Sequence, residues 1–154
     1  MKNRVAIPAC VLLIAISGCG NGAVNPVSAT AATKTGDYKA CLNSLCDEII
    51  TAISAIETET NGDRVAEHGR RIKADYLNCP KVPTSNDNSD IIEDQSARVV
   101  GSFAVYCDQM ATAITREKRD VADTAKSERR DAQIFRDAAQ QSIEKLRSIM
   151  SETK

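Results

Sequence analysis

Apolar residues along the chain recur at intervals of three and four, the spacing that puts them on one face of an α-helix. The first stripe is Tyr38, Cys41, Leu42, Leu45, Ile49, Ala52, Ile53 and Ile56, with Asp37 placed to cap it. The run "TETNGD" at 58–63 breaks this pattern. Asp63 is predicted to cap a second helix bearing Val65, Gly69, Ile72, Tyr76 and Cys79, and Pro80 stops it. "PKVPTSNDNSD", residues 80–90, reads as a mobile polar loop. Asp90 and Glu93 then resemble a capping box in front of Ile92, Val99, Val100, Phe103, Cys107, Met110 and Ile114.

From Arg116 to Asp131 the apolar residues thin to Val121 and a few alanines. They return as Ile134, Phe135, Ala138, Ala139, Ile143, Leu146, Ile149 and Met150. No proline or glycine follows Ser102, so summed propensity favours one long helix with a projecting polar middle. A turn near 123–128 would instead give two helices, and it would bury the last stripe without an outside partner. The second reading is preferred. The pattern therefore predicts an all-α fold, a three- or four-helix bundle over residues 37–154.

The first thirty-six residues follow a different logic. Lys2 and Arg4 precede twelve uncharged residues, Val5 to Ile16, too few to span a bilayer. Ile16-Ser17-Gly18-Cys19 follows at once. This segment resembles the lipobox signal of bacterial lipoproteins: an aliphatic residue, two small residues and an obligatory cysteine. The resemblance covers residues 1–19 alone. It implies cleavage before Cys19, two or three acyl chains on that residue, and stable attachment to a membrane. With Gly rather than Asp at position 20, the general sorting pattern implies the outer membrane in a Gram-negative host. Residues 1–18 are thus the signal peptide and 19–36 the lipidated cysteine and flexible linker. The seventeen small and polar residues 20–36 would span roughly 20–25 Å.

Removing residues 1–18 of 154 leaves 136, enough for one domain. Losing Lys2 and Arg4 leaves 18 basic residues against 21 acidic ones. That balance gives no electrostatic case for nucleic acid. With no Trp and five Phe and Tyr together, the core must be aliphatic and sugar-stacking surfaces are scarce.

Of six cysteines, Cys10 leaves with the signal and Cys19 is acylated. The remaining four, Cys41, Cys46, Cys79 and Cys107, read as two disulfides in an exported chain. Their gaps lack the close pairs that zinc requires. If the first two helices form a hairpin about residue 60, Cys41 faces Cys79, which leaves Cys46 for Cys107. The swapped pairing stays open.

Candidate chemistry is sparse. His68 is the sole histidine and lacks the companions of a base or metal ligand, so it reads as a partly exposed surface residue. Arg64, Arg70, Arg71 and Lys73 form a basic patch that would suit an acidic partner or anionic lipid headgroups. "SNDNSD" is oxygen-rich but lacks the ordered spacing of a calcium loop. The mixed charges from Arg116 to Asp137 read as a solvated helix face, or as a coiled-coil arm docking on another protein. No phosphate-binding glycine loop is present, and no cofactor or metal is implied. The expectation is a non-enzymatic, lipid-anchored module that binds another envelope protein, of the exclusion, immunity or secretion-accessory type. The alternatives are an inhibitor of a cell-wall hydrolase and a passive structural lipoprotein.

Overall fold

The structure, a computed structural model, describes residues 37–119 and 121–153. The expected signal peptide, Cys19 and the expected linker, residues 1–36, lie outside the described residues. Four helices follow in order: α1 Tyr38–Ile56, α2 Gly62–Asn78, α3 Ser89–Glu117 and α4 Ala122–Glu152. No strand occurs among the described residues.

Local chemistry explains most boundaries. Asp37 caps α1 as expected, its carboxylate accepting the N–H of Lys39 at 2.9 Å. The cap of α2 is Asn61 rather than Asp63, because the Asn61 side chain accepts the Asp63 N–H at 3.0 Å. Between them the Glu59 carboxylate accepts the N–H groups of Thr60 and Asn61, which holds the turn. α2 ends at Asn78 because Cys79, placed before Pro80, takes an extended backbone. α3 starts at Ser89, and its N-cap Asn88 makes no side-chain cap bond, so the capping box expected from Asp90 and Glu93 does not form.

Side-chain pairs across the helices set their directions. Cys41 meets Cys79 across α1 and α2, Gly69 meets Cys107 across α2 and α3, and Arg116 meets Glu128 across α3 and α4. Arg147 and Asp47 join α4 to α1. Each helix is thus antiparallel to the next, the up-down-up-down arrangement of a four-helix bundle. α3 has its most extensive contacts with α4 and then α2, and α1 lies against all three. Asp37, the 79–88 loop and Thr153 share one end of the bundle, tied by Asn86 to Tyr38 and by Asn88 to Thr153. These bonds, and Val82 buried at 7% exposure, pin the loop that the composition marks as mobile.

The core is aliphatic, centred on Ile49, Ile56, Ile72, Ile92, Phe103 and Leu146. On α3, Ile92, Val99, Tyr106 and Ala113 repeat every seven residues, as do Ser96, Phe103 and Met110. On α4 the matching repeat is Ala125, Ala132, Ala139 and Leu146, all buried. Seven-residue spacing keeps one seam facing the partner helix, and alanines let the two backbones come close. Between α2 and α3 glycine plays that part. A Cβ at Gly62 would stand 2.8 Å from the Ala111 carbonyl oxygen, and one at Gly69 would stand 3.1 Å from Cys107 Cβ.

The chain turns between α3 and α4 at 118–121, ahead of the expected 123–128 and without proline or glycine. The N–H of Val121 reaches back to the Arg116 carbonyl at 3.1 Å. Arg116–Glu128 and Glu117–Arg129 then bridge the two helices at 2.6 Å each. The mixed charges therefore fold back along α3 rather than projecting as an arm, and most of them, Lys118, Asp123, Lys126, Arg130 and Asp131 among them, line a solvated face as expected. Ile134, expected in the core stripe, is 63% exposed, because the alanine repeat rather than the larger side chains takes the seam.

Cys41 and Cys79 are joined, with Cα atoms 5.9 Å apart. The second expected disulfide, Cys46–Cys107, does not form, and both residues are buried free thiols. The helix register gives the reason. With Cys41 level with Cys79, Cys46 is level with position 74 of α2, whereas Cys107 packs on Gly69. The offset of five residues is about 7.5 Å along the axis at 1.5 Å per residue, beyond the reach of a disulfide.

Candidate functional site

The basic residues singled out in the sequence do not form one patch. Arg64, His68 and Arg71 lie four and three residues apart on the edge of α2 that borders α1. There Arg71 meets Glu48 at 4.0 Å and Arg64 meets Glu59 at 3.8 Å. Arg70 and Lys73 lie on the opposite flank of α2, in line with Leu77. Arg70 holds Glu67 at 2.7 Å. Lys73 is exposed, with no ion pair among the described residues.

His68 is partly exposed, as expected, and its Nδ1 has no hydrogen-bond partner among the described residues. Burial, and then the Arg71 guanidinium, hold its imidazolium form below the usual range. The ring is therefore neutral at neutral pH. The oxygen-rich 85–90 segment spends its side chains on structure. Asn86 donates to Tyr38 Oη and accepts the Asn88 N–H, each at 2.9 Å. No cluster of three or more metal-ligating side chains occurs among the described residues.

An open cleft of about 220 Å³ lies at the end of the bundle that carries Asp37. Leu42 of α1, Tyr76 and Leu77 of α2, Val82 of the loop and Ser96 of α3 line it, with Lys81 and Glu93 supplying charge. Burial and then the charge of Glu93 push the Tyr76 hydroxyl above its usual range, so it stays protonated and able to donate. Leu77 is 73% exposed, the largest value for an apolar side chain of its size among the described residues. It falls off the buried stripe of α2, which is how the sequence marks it. The floor of the cleft depends on tertiary packing, and no local signal carries it.

A second exposed apolar position lies on α4. Ile134 shares an outward surface with Asp137, Ala138 and Gln141. Arg136, two residues on, bonds Glu57 at 3.0 Å just past the end of α1. Ile134 therefore stands toward the end of the bundle remote from Asp37.

The free thiols offer no reactive centre. Both are fully buried, which pushes Cys46 up to about 11 and Cys107 up to about 12. The thiolate, the form that attacks electrophiles, is then scarce at neutral pH. Cys46 and Cys107 are expected to escape alkylation by iodoacetamide in the folded chain and to react fully in denaturant. Peptide mapping of the two samples checks this, and a native chain labelled at either position would contradict the packing described above.

No protein-family model, curated protein or solved structure matches the chain. Among the described residues, no helix is long and apolar enough to cross a membrane.

Proposed function

We propose that the chain is a membrane-anchored envelope lipoprotein whose helical unit binds another envelope protein. The observation that carries this reading is the order of residues 1–19: a basic start, twelve uncharged residues, and Ile16-Ser17-Gly18-Cys19. Acylation of Cys19 holds the protein to the membrane, and Gly20 directs it to the outer one in a Gram-negative host. The helical unit supports a binding role by its build. Its core is closed and its ends are pinned, yet Ile134 stands exposed on the 31-residue helix α4 toward the far end. Single exposed aliphatic side chains are ordinary on a protein surface, so Ile134 marks where to probe contact, and the reading rests on residues 1–19.

Crosslinking in living cells tests the proposal, with a tagged full chain, Cys19→Ala, and Ile134→Asp. The expected result is a discrete protein recovered with the full chain, lost with Cys19→Ala, and depleted several-fold with Ile134→Asp. Recovery of no protein above background from a correctly acylated chain would overturn the binding role. A chain that carries no acyl mass would overturn the anchor.

A further inference from the structure

The tether end of the bundle carries a surface that the proposed function does not use. Arg70, Lys73 and Leu77 stand three and four residues apart on one flank of α2, so their side chains emerge together. Lys81, just past Pro80, lines the same cleft as Leu77. Lys73 and Lys81 are exposed and make no ion pair among the described residues. Leu77 is a fully presented aliphatic side chain framed by these cations.

We infer that this flank rests on a phospholipid surface, with Leu77 in the headgroup region and Lys73 and Lys81 against lipid phosphates. The inference rests on the lipoprotein reading, because the anchor brings the surface to the bilayer. The chain enters the bundle at Asp37, and Leu42, little more than one helical turn further on, lines the same cleft as Leu77. Seventeen residues separate Cys19 from Asp37, and a linker of that composition spans roughly 20–25 Å. The opposite end of the bundle is further from the point of attachment along the chain by the length of α1, 19 residues or about 28 Å. Anchoring therefore brings the Leu77 flank within easier reach of the lipid than the α3–α4 turn, without fixing the orientation of the bundle. Attachment also makes the encounter intramolecular, so a surface too weak to bind lipid alone is occupied when tethered.

The charge arrangement agrees. An aliphatic side chain with basic neighbours is the usual form of an interfacial contact, the apolar group entering below the phosphates and the cations meeting them. The carboxylates close by are Glu67, Asp75 and Glu93. Glu67 is held by Arg70, and Glu93 lies across the cleft on α3.

The chain has no tryptophan, so one introduced residue reports its own surroundings. The full chain would be purified from membranes as Leu77→Trp and as Ile134→Trp. Each would be placed in nanodiscs containing phosphatidylglycerol with brominated acyl chains, after intact mass had reported acylation. The expected result is blue-shifted emission and several-fold stronger quenching for Leu77→Trp than for Ile134→Trp. Adding Lys73→Glu and Lys81→Glu to Leu77→Trp should remove most of that difference. Equal quenching of the two variants in an acylated chain, or quenching indifferent to the charge reversals, overturns the docking surface and leaves the anchor standing. A chain without acyl mass overturns both.

Discussion

Phe103→Ala is expected to lower the unfolding free energy of the helical unit by about 3–5 kcal/mol. Its melting temperature should fall by roughly 10–20 °C. Phe103 is fully buried in the middle of α3, on the helix that α2 and α4 both cover most closely. Its ring lies 6.2 Å from that of Tyr106, centroid to centroid. The helix backbones are held close together, by alanine along the α4 seam and glycine in α2, which limits collapse into the space left. A domain of this size has a stability of about 5–15 kcal/mol, so the loss would be a large fraction of the whole. Urea melts followed by far-UV circular dichroism measure it. A change below about 1 kcal/mol would mean that the ring does not fill the centre of the bundle.

Removing the Cys41–Cys79 link should have the second largest effect. The bond closes a loop with a sequence separation of 38. Cys41→Ser together with Cys79→Ser is expected to cost about 2–4 kcal/mol, mainly by freeing the unfolded chain. Reductant should bring the native protein down to the same midpoint, and the double variant should ignore reductant, because Cys46 and Cys107 are already thiols. A variant that melts with the oxidised native protein would show that the link contributes nothing. One that still responds to reductant would show a second disulfide.

Much of this architecture was legible in the sequence. α1 could be read almost residue by residue, because its buried positions are Leu, Ile and Val-sized side chains at helical spacing and Asp37 has a clear capping role. The Cys41–Cys79 pair followed from hairpin symmetry alone. Other features were hidden for identifiable reasons. Ala125 and Ala132 are weakly apolar and fall outside the stripe read from the sequence, although with Ala139, which is in it, their seven-residue spacing builds the α3–α4 seam. Tyr106 falls outside the stripe read for α3, although Tyr38 and Tyr76 are counted in theirs, yet it is buried at 2% exposure, which pushes the phenol up to about 12. The turn at 118–121 has no proline or glycine to announce it and is held by long-range packing and the Arg116–Glu128 and Glu117–Arg129 bridges. Cys46 and Cys107 were paired by elimination, and elimination does not see axial register. Of the candidate surfaces, the basic residues were found but their division between two flanks of α2 was not, since it depends on where α1 lies.

The antiparallel order of the four helices also bears on how the chain acquires its shape. Most close packing joins neighbours in sequence, α2 with α3 and α3 with α4, so contacts of low sequence separation dominate. Bundles of this type assemble in microseconds to milliseconds. Closure against α1 comes at the greatest entropic distance. Lys39 donates to the Thr153 carbonyl over a separation of 114 residues, and Arg147 reaches Asp47 over 100. Chain-closure entropy therefore places the seating of the last helix on the first at the end of the folding sequence. Under the proposed export, a channel that still holds the C-terminal turn of α4 would withhold these contacts, and the Cys41–Cys79 link, formed only outside the reducing cytosol, would hinge the first helix to the second.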